Sequence, residues 1–156
     1  MPYNESDKRN SPQGQRDGNQ RPEPRLPEGY LHGGYFEPGL AREKPSLRRE
    51  YIIGYPEEIA RSLGDPKLNK SSQLRKFYDY AIRIRDILGR GISFREAESD
   101  FCRLLVFADY ARNRSQPLVS MLFVDFIRQN VETVKNEQDF YAFLKHFEAV
   151  IAHLKK

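Results

Sequence analysis

Side chains that could act as nucleophiles or metal ligands are few in this sequence and lie far apart. Nucleophilic catalysis needs a Ser, Cys or Thr beside a base that an acidic group orients, and no such grouping is evident. Cys102 is the only cysteine and falls in an apolar helical stretch, so we expect a buried thiol. His146 and His153 lack the further ligands that zinc needs and are expected to be surface or partly buried residues.

Three carboxylates, Glu96, Glu98 and Asp100, are close together near the start of a predicted helix. Such a cluster could hold magnesium or transfer protons, but helix amino termini also favour acidic residues because these complement the helix dipole. Gly89-Arg90-Gly91 has neither the spacing nor the preceding strand of a phosphate-binding loop. The sequence therefore predicts no catalytic residue, no metal site and no cofactor, and a protein that is not an enzyme.

Basic residues near predicted helix ends are the remaining side chains with binding chemistry. Lys and Arg neutralise phosphates, which is how proteins grip nucleic-acid backbones. Each residue taken alone can also be an ordinary solvated charge, and Arg75 has the spacing for a helical ion pair with Asp79. The candidates are Lys70, Arg75, Lys76, Arg83, Arg90, Arg112 and Arg114.

Five amphipathic helices are predicted to position these residues. Apolar side chains recur at helical spacing beyond residue 50, and no strand signal competes with them. The first helix has Pro56 at a favourable first position, the fourth starts around Pro117, and Gly89 ends the second. The predicted ranges are 56–63, 71–88, 93–112, 117–134 and 136–154.

Polar residues mark where three of the helices begin. Either Ser71 or Ser72 is a suitable cap for the second helix, because a serine hydroxyl accepts a hydrogen bond from a free N–H of the first turn. Ser93 followed by Glu96 has the spacing of a capping box, and Asn136 caps the last helix. Helices with such short connections pack as antiparallel neighbours, so the predicted fold is an all-α bundle of about five helices.

Phenylalanines recur at helical spacing in the last two predicted helices. Phe123 and Phe126 lie on one stripe of the fourth helix, and Phe143 and Phe147 lie on one stripe of the fifth. Stripes of this kind normally face the core. We therefore predict that these rings pack inside the bundle and do not form a stacking platform for bases.

The first 50 residues have a different composition, rich in Pro, Gly, Asn, Gln, Ser and Arg. Such a segment buries too little apolar surface to offset its conformational entropy. We predict a flexible extension, disordered or extended, over residues 1–50, and a helical-bundle domain over residues 55–156. The aromatic patch from Tyr30 to Phe36 is an exception, because it could dock on the folded body or on a partner.

Overall composition limits the class of protein. A chain of 156 residues can build one domain with a substantial core. Its 26 basic and 22 acidic side chains leave a net charge of +4, which permits nucleic-acid binding without requiring it. Because it has no run of about 18 apolar residues and no apolar signal segment, the chain is expected to be soluble and cytoplasmic, with no membrane partner.

Three segments resemble the small subunit of the type III-A CRISPR effector (Csm) complex. Asn69-Lys70-Ser71-Ser72-Gln73-Leu74-Arg75-Lys76-Phe77 is similar to the signature that opens the second helix in that family. Tyr110-Ala111-Arg112-Asn113-Arg114 is similar to the family's Tyr-Ala-Ala-Gly-Arg, with Asn113 where glycine is usual. Val134-Lys135-Asn136-Glu137 and the following helix are similar to the family's closing helix. The resemblance spans residues 55–156.

This resemblance implies a non-catalytic five-helix subunit that stacks in several copies along larger subunits holding the guide RNA. Its partners would be guide RNA, target RNA, other Csm subunits and further copies of itself. The residue-by-residue match is firmest for Arg75, Lys76 and Arg114, which would contact phosphates of the target strand or of the guide–target duplex. Arg112 is expected to share that role, and weaker candidates are Lys70, Arg83 and Arg90.

Two other classes of function remain open at this point. In a protein-interaction adaptor, the same bundle and amino-terminal extension would bind proteins, and the arginines would be ordinary surface charges. A DNA-binding regulator would need a recognition helix after a tight turn and a stronger basic face, and neither is evident. Salt-sensitive RNA binding distinguishes the RNA-binding subunit from the adaptor.

Overall fold

The computed structural model describes residues 23–39 and 44–154 of the chain. Helices dominate this part of the protein, which confirms the predicted all-α bundle of five helices. The helices are α1 (Tyr55–Ser62), α2 (Ser71–Gly89), α3 (Phe94–Asn113), α4 (Met121–Thr133) and α5 (Glu137–His153). No helix in these two ranges is both long enough and apolar enough to cross a bilayer.

Two very short strands precede the helices, although none was predicted. β1 (Phe36–Glu37) and β2 (Ser46–Leu47) pair antiparallel, with Phe36 opposite Leu47. A 3₁₀ turn, Arg49–Tyr51, then leads into α1. Strands of two residues are too short to show the alternation by which a strand is recognised in a sequence.

Local capping explains where α3 and α5 begin, as predicted. The hydroxyl of Ser93 accepts a hydrogen bond from the N–H of Glu96 over 3.2 Å. The side-chain oxygen of Asn136 accepts one from the N–H of Asp139 over 2.8 Å. Each bond satisfies an N–H that the helix itself leaves free.

The predicted starts of α2 and α4 were wrong in detail. Ser71 is already helical, and the residue that caps α2 is Lys70, whose side chain makes no capping hydrogen bond. α4 begins at Met121 and not around Pro117, because Ser120 is its cap and accepts a hydrogen bond from the N–H of Phe123.

The helices surround a core of phenylalanine rings. α3 lies between α2 and α4, and α5 lies between α1 and α2. The predicted core positions Phe123, Phe126, Phe143 and Phe147 are all fully buried. The rings of Phe123 and Phe77 meet edge to face with their centroids 4.9 Å apart. The assignment of these rings to the core is therefore confirmed.

Residues 23–39 form a segment, called the strap below, that passes along α4 and inserts side chains between α4 and α5. Tyr30 lies beside Phe126 of α4 and His146 of α5, with ring centroids 6.4 and 5.6 Å away. Tyr35 is almost completely buried. Of the two possibilities left open for the aromatic patch, docking on the folded body is the one observed. The prediction for residues 1–22 lies outside the described residues.

Glycines allow the strap to turn sharply before it enters the core. Gly29 and Gly33 have φ angles of +74° and +80°, in the left-handed region where side chains are disfavoured. Leu31 also has a positive φ of 59°. This unusual turn points Tyr30 and Leu31 inward, and both are buried.

A chain of buried hydrogen bonds holds the strap in place. Nδ1 of His146 lies 2.6 Å from the carbonyl oxygen of Tyr51, which can only accept, so this nitrogen carries the proton. Nε2 therefore accepts from the hydroxyl of Tyr30 over 2.5 Å. Asn130 donates to that same hydroxyl and accepts from the hydroxyl of Tyr35.

Two sequence-based expectations about single residues are corrected here. His146 is fully buried, not a surface or partly buried residue, and this burial lowers its pKa from 6.5 to about 4 despite its bond to Tyr51. Cys102 is exposed, not buried, because its side chain lies on the outer face of α3. Partial desolvation, followed by the charge of Glu98, nevertheless raises the pKa of the Cys102 thiol.

Candidate nucleic-acid interface

Asn69 joins the parts of the chain from which the candidate interface is built. Its N–H donates to the carbonyl oxygen of Leu118 over 3.0 Å. The N–H of Leu118 in turn donates to the carbonyl oxygen of Ala111 over 3.0 Å. Its side chain donates to Ser120 Oγ over 2.8 Å and accepts from Ser120 N–H over 2.9 Å. The start of α2, the end of α3 and the start of α4 therefore meet at one end of the bundle.

Contacts made by Tyr80 fix how α2 and α3 lie along each other. Its hydroxyl donates to the carbonyl oxygen of Asp100 over 2.6 Å, and its ring meets Phe107 edge to face at 5.1 Å. Burial raises the pKa of this hydroxyl, which keeps the donor protonated. Because the helices run antiparallel, residues before Tyr80 on α2 lie beside residues after Phe107 on α3.

This packing gathers five of the seven predicted residues at that end, which we call the basic end. Lys70 directly precedes α2, and Arg75 and Lys76 lie in its first two turns. Arg112 lies in the last turn of α3, and Arg114 directly follows the helix. Residues that are more than 35 positions apart in the sequence are thereby brought to the same end of the bundle.

The other two predicted residues lie elsewhere on α2. At 1.5 Å of rise per residue, Arg83 is about 12 Å along the helix from Arg75. Arg90 caps the far end of α2, about 22 Å from Arg75, and lies close to the start of α3. The predicted set is therefore brought together only in part.

Within the described ranges, none of the seven predicted residues forms an ion pair with a carboxylate. The helical pair between Arg75 and Asp79 that the sequence allows is not formed there. By contrast, Arg128 is held by both Asp109 and Asp125, at 3.5 and 3.4 Å. Six of the seven side chains are exposed, and Arg112 is half-buried.

The side chain of Arg112 contains a buried hydrogen-bond donor that is not satisfied by the described residues. Its Nε is buried and has no hydrogen-bond partner in the part of the chain that the structure describes. Arg112 as a whole is half-buried, so the surrounding protein partly encloses its side chain. The arrangement fits a residue that is held ready to contact a ligand, because the entropy of ordering its side chain is already partly lost.

The first turn of α2 adds to the positive potential of the basic end. No side chain caps this turn, so free N–H groups and the positive end of the helix dipole face outward beside Lys70. An open groove next to it is lined by both acidic and basic side chains, among them Glu57, Asp65, Arg61 and Lys70. Its mixed charge makes this groove a poor phosphate pocket, so the exposed side chains of the basic end are better suited to bind phosphate.

The acidic cluster of α3 lies away from this end and does not converge. Glu96 and Glu98 are about 200° apart around the helix axis, so they point in nearly opposite directions. Across residues 23–39 and 44–154, no group of three His, Cys, Asp or Glu side chains could hold a metal ion. The predicted absence of a catalytic or metal site remains a prediction.

Comparison with known protein families identifies the family to which the chain belongs. The family model described as Csm2 Type III-A matches residues 47–156, which include the 3₁₀ turn, all five helices and all seven predicted basic residues. The chain belongs to the Csm2 type III-A family. It is therefore a small subunit of the type III-A CRISPR (Csm) complex and assembles with other subunits of that complex. No curated protein and no solved structure matches the chain.

The Csm2 match begins after the strap. Residues 23–39 precede the matched region, yet Tyr30 and Tyr35 lie in the core of the Csm2 body. In this chain the Csm2 bundle is therefore completed by residues from outside the family match. The strap covers part of α4, and Leu122, Asp125 and Gln129 of that helix line a shallow cavity beside the strap.

Two residues of the Csm2 body that sequence reasoning left out of the candidate site lie along the line where α2 and α3 meet, which we call the α2–α3 groove. The guanidinium of Arg103 is positioned over the ring of Phe107, 5.2 Å from its centroid, and Tyr110 is 73% exposed. The spacing of Arg103, Phe107 and Tyr110 on one side of α3 was visible in the sequence. What could not be seen there is which side of α3 faces α2.

Proposed function

We propose that this Csm2 protein binds the ribose-phosphate backbone of RNA through its basic end, in several copies along the type III-A complex. The ligand is the target RNA or the guide–target duplex, and the principal contacts come from Arg75, Lys76, Arg112 and Arg114. Lys70 supports them at the start of α2. Sequence is selected by base pairing between guide and target, so the protein needs to recognise only backbone and shape.

The observation that carries this proposal is that five basic residues lie at one end of the bundle and form no ion pair with any described carboxylate. An exposed Lys or Arg that is already held by a carboxylate gains little from a phosphate, because the internal partner must first be displaced. The residues at the basic end have no such competitor among the described carboxylates. Each phosphate they neutralise releases counterions, which favours binding at low salt.

A modest net charge of +4 is compatible with this function. Non-specific nucleic-acid binding at physiological salt has dissociation constants of about 10⁻⁴ to 10⁻⁶ M, so a single copy should hold RNA weakly. Copies held side by side by other subunits make their contacts effectively intramolecular. Binding that is weak for the isolated chain and firm in the assembly follows.

The decisive experiment compares target-RNA binding by complexes that contain parent or Arg75→Ala/Arg114→Ala subunits. For single-stranded RNA, each lost phosphate contact lowers the slope of log affinity against log salt by about 0.7. We expect the double variant to bind more weakly and with a shallower slope, while the bundle stays folded, because both side chains are exposed.

A matched control is Arg85→Ala/Arg95→Ala. It removes the same charge from two exposed arginines outside the basic end, one of which is paired with Asp86 at 3.5 Å. We expect this control to retain nearly the parent slope. Equal affinity and equal slope for parent and Arg75→Ala/Arg114→Ala complexes would refute the proposal and favour the adaptor, in which these arginines are ordinary surface charges.

The proposed role requires no catalysis by this subunit. The three carboxylates of α3 do not converge, and no described group of ligands suits a metal ion. We therefore expect the purified protein to leave RNA intact in magnesium or manganese. Reproducible cleavage that is lost on substitution of a single carboxylate would contradict this part of the proposal.

A further inference from the structure

Tyr110 is the most exposed of the large apolar side chains that the structure describes. The residue is 73% exposed and lies in the last turns of α3. Val106, one turn earlier on the same helix, is 61% exposed. Single exposed apolar side chains are common on protein surfaces, so the kind of ligand that this ring could bind depends on the residues around it.

The surroundings of Tyr110 indicate which kind of ligand fits. The rings of Tyr80 and Phe107 are in contact. Tyr110 follows Phe107 by three residues and Lys76 precedes Tyr80 by four, so both lie about one helical turn closer to the basic end than this contact. Helical spacing therefore places Lys76 and Tyr110 on the two sides of the α2–α3 groove, towards the basic end. Arg114 follows one turn after Tyr110, at the end of the same helix.

Charge on this groove favours an anionic partner with flat rings. Arg103 is exposed and lies over Phe107 without a carboxylate partner in the described ranges. Asp109, the acidic neighbour of Tyr110, points to the other side of α3 and is paired with Arg128. Exposed aromatic rings beside unpaired cations are the means by which proteins hold single-stranded nucleic acid.

We propose that Tyr110 stacks on an unpaired nucleobase of RNA whose phosphates lie on the basic end. This inference rests on the proposed backbone binding and adds a base-dependent contact to it. Lys76 and Arg114 would hold the phosphates on either side of the stacked base. The contact does not select sequence, because every base offers a flat face. It does select single-stranded RNA over paired RNA, since paired bases are covered by their neighbours.

The test uses the full-length protein and two short RNAs of equal length and charge, one with bases and one abasic. Stacking requires bases, so the parent protein should prefer the first RNA by about fivefold to a hundredfold. Tyr110→Ala should remove this preference without changing the salt slope. Tyr110→Phe should keep it, and Val106→Ala, a control at another exposed position of the same helix, should leave both quantities unchanged.

A spectroscopic readout reports stacking independently of affinity. The chain contains no tryptophan, so Tyr110→Trp places a single indole at the site. Its fluorescence should be quenched by the RNA with bases and not by the abasic RNA. Quenching by neither RNA, under conditions where both are bound, would overturn the stacking proposal.

The outcomes separate this inference from the proposed function. If the parent protein binds both RNAs equally and with strong salt dependence, backbone binding holds and stacking is wrong. If binding shows no salt dependence, the basic end is not the RNA site and the proposed function fails. If Tyr110→Ala impairs assembly of the complex but not RNA affinity, the ring faces a protein subunit and stacking is again wrong.

Discussion

Replacing Asn69 should both weaken the fold and disturb the candidate interface. Asn69 is buried, and its φ of +57° is a left-handed conformation that Asn tolerates better than Ala. Its side chain makes three hydrogen bonds, to Leu63 O at 3.2 Å and to Ser120 Oγ and N at 2.8 and 2.9 Å. Through Ser120 it connects the start of α2 with the start of α4.

The expected cost can be worked out for two variants. Three hydrogen bonds at about 1 kcal/mol each give about 3 kcal/mol of lost stability for either one. Asn69→Ala adds about 1–2 kcal/mol for the left-handed backbone, for a total of about 4–5 kcal/mol. Asn69→Gly avoids this strain but gives the unfolded chain more freedom, about 0.4–1 kcal/mol, for a total of about 3.5–4 kcal/mol.

Urea unfolding of both variants tests this reasoning. Glycine should be the better replacement by roughly 0.5–1 kcal/mol, which is the reverse of their usual order inside regular structure. Asn113→Ala, at an exposed asparagine, should change stability by less than about 0.5 kcal/mol. A parent-like stability for Asn69→Ala, or a glycine variant less stable than the alanine variant, would refute the proposed role of Asn69.

Four further predictions concern the core, the strap and the exposed thiol. Truncation of Phe147 to Ala should cost about 3–5 kcal/mol, and an unchanged melting temperature would contradict its core position. Tyr30→Phe should cost about 1–3 kcal/mol in urea unfolding, because His146 and Asn130 each lose a partner. The pKa of His146 is about 4 in the folded protein and ordinarily 6.5, so the unfolded chain binds the proton first as pH falls. The free energy of unfolding should therefore be at its full value above pH 6.5 and lower by about 3 kcal/mol at pH 4. The variant His146→Gln should lack this pH dependence. Cys102 should react with a thiol reagent in the native protein, faster as pH rises towards its raised pKa, and reaction only after unfolding would contradict its exposure.

Features governed by neighbouring residues were predictable from the sequence. The caps at Ser93 and Asn136 depend on a bond to a residue three positions later, so spacing alone revealed them. The start of α4 was misplaced because tertiary bonds, from Asn69 to Leu118 and from Leu118 to Ala111, hold the preceding residues outside the helix. A local pattern carries no information about such partners.

Long-range pairings explain the other differences. Tyr30 and His146 are 116 positions apart, and nothing near either residue indicates that they meet. Cys102 was misjudged because its apolar neighbours dominate the stretch, although its own side chain faces outward. The basic residues were predicted one by one, but only the packing order shows that the end of α3 meets the start of α2 and that Arg90 lies at the opposite end.

The most direct test of the account is a map of backbone amide signals by nuclear magnetic resonance during titration of the full-length protein with short RNA. Binding at the basic end predicts that signals from residues 69–76 and 110–120 shift together, and that the shifts diminish as salt is raised. Signals around Arg90 and in the strap should stay in place. Shifts centred on residues 89–95 or on the strap, with residues 69–76 unaffected, would contradict the account.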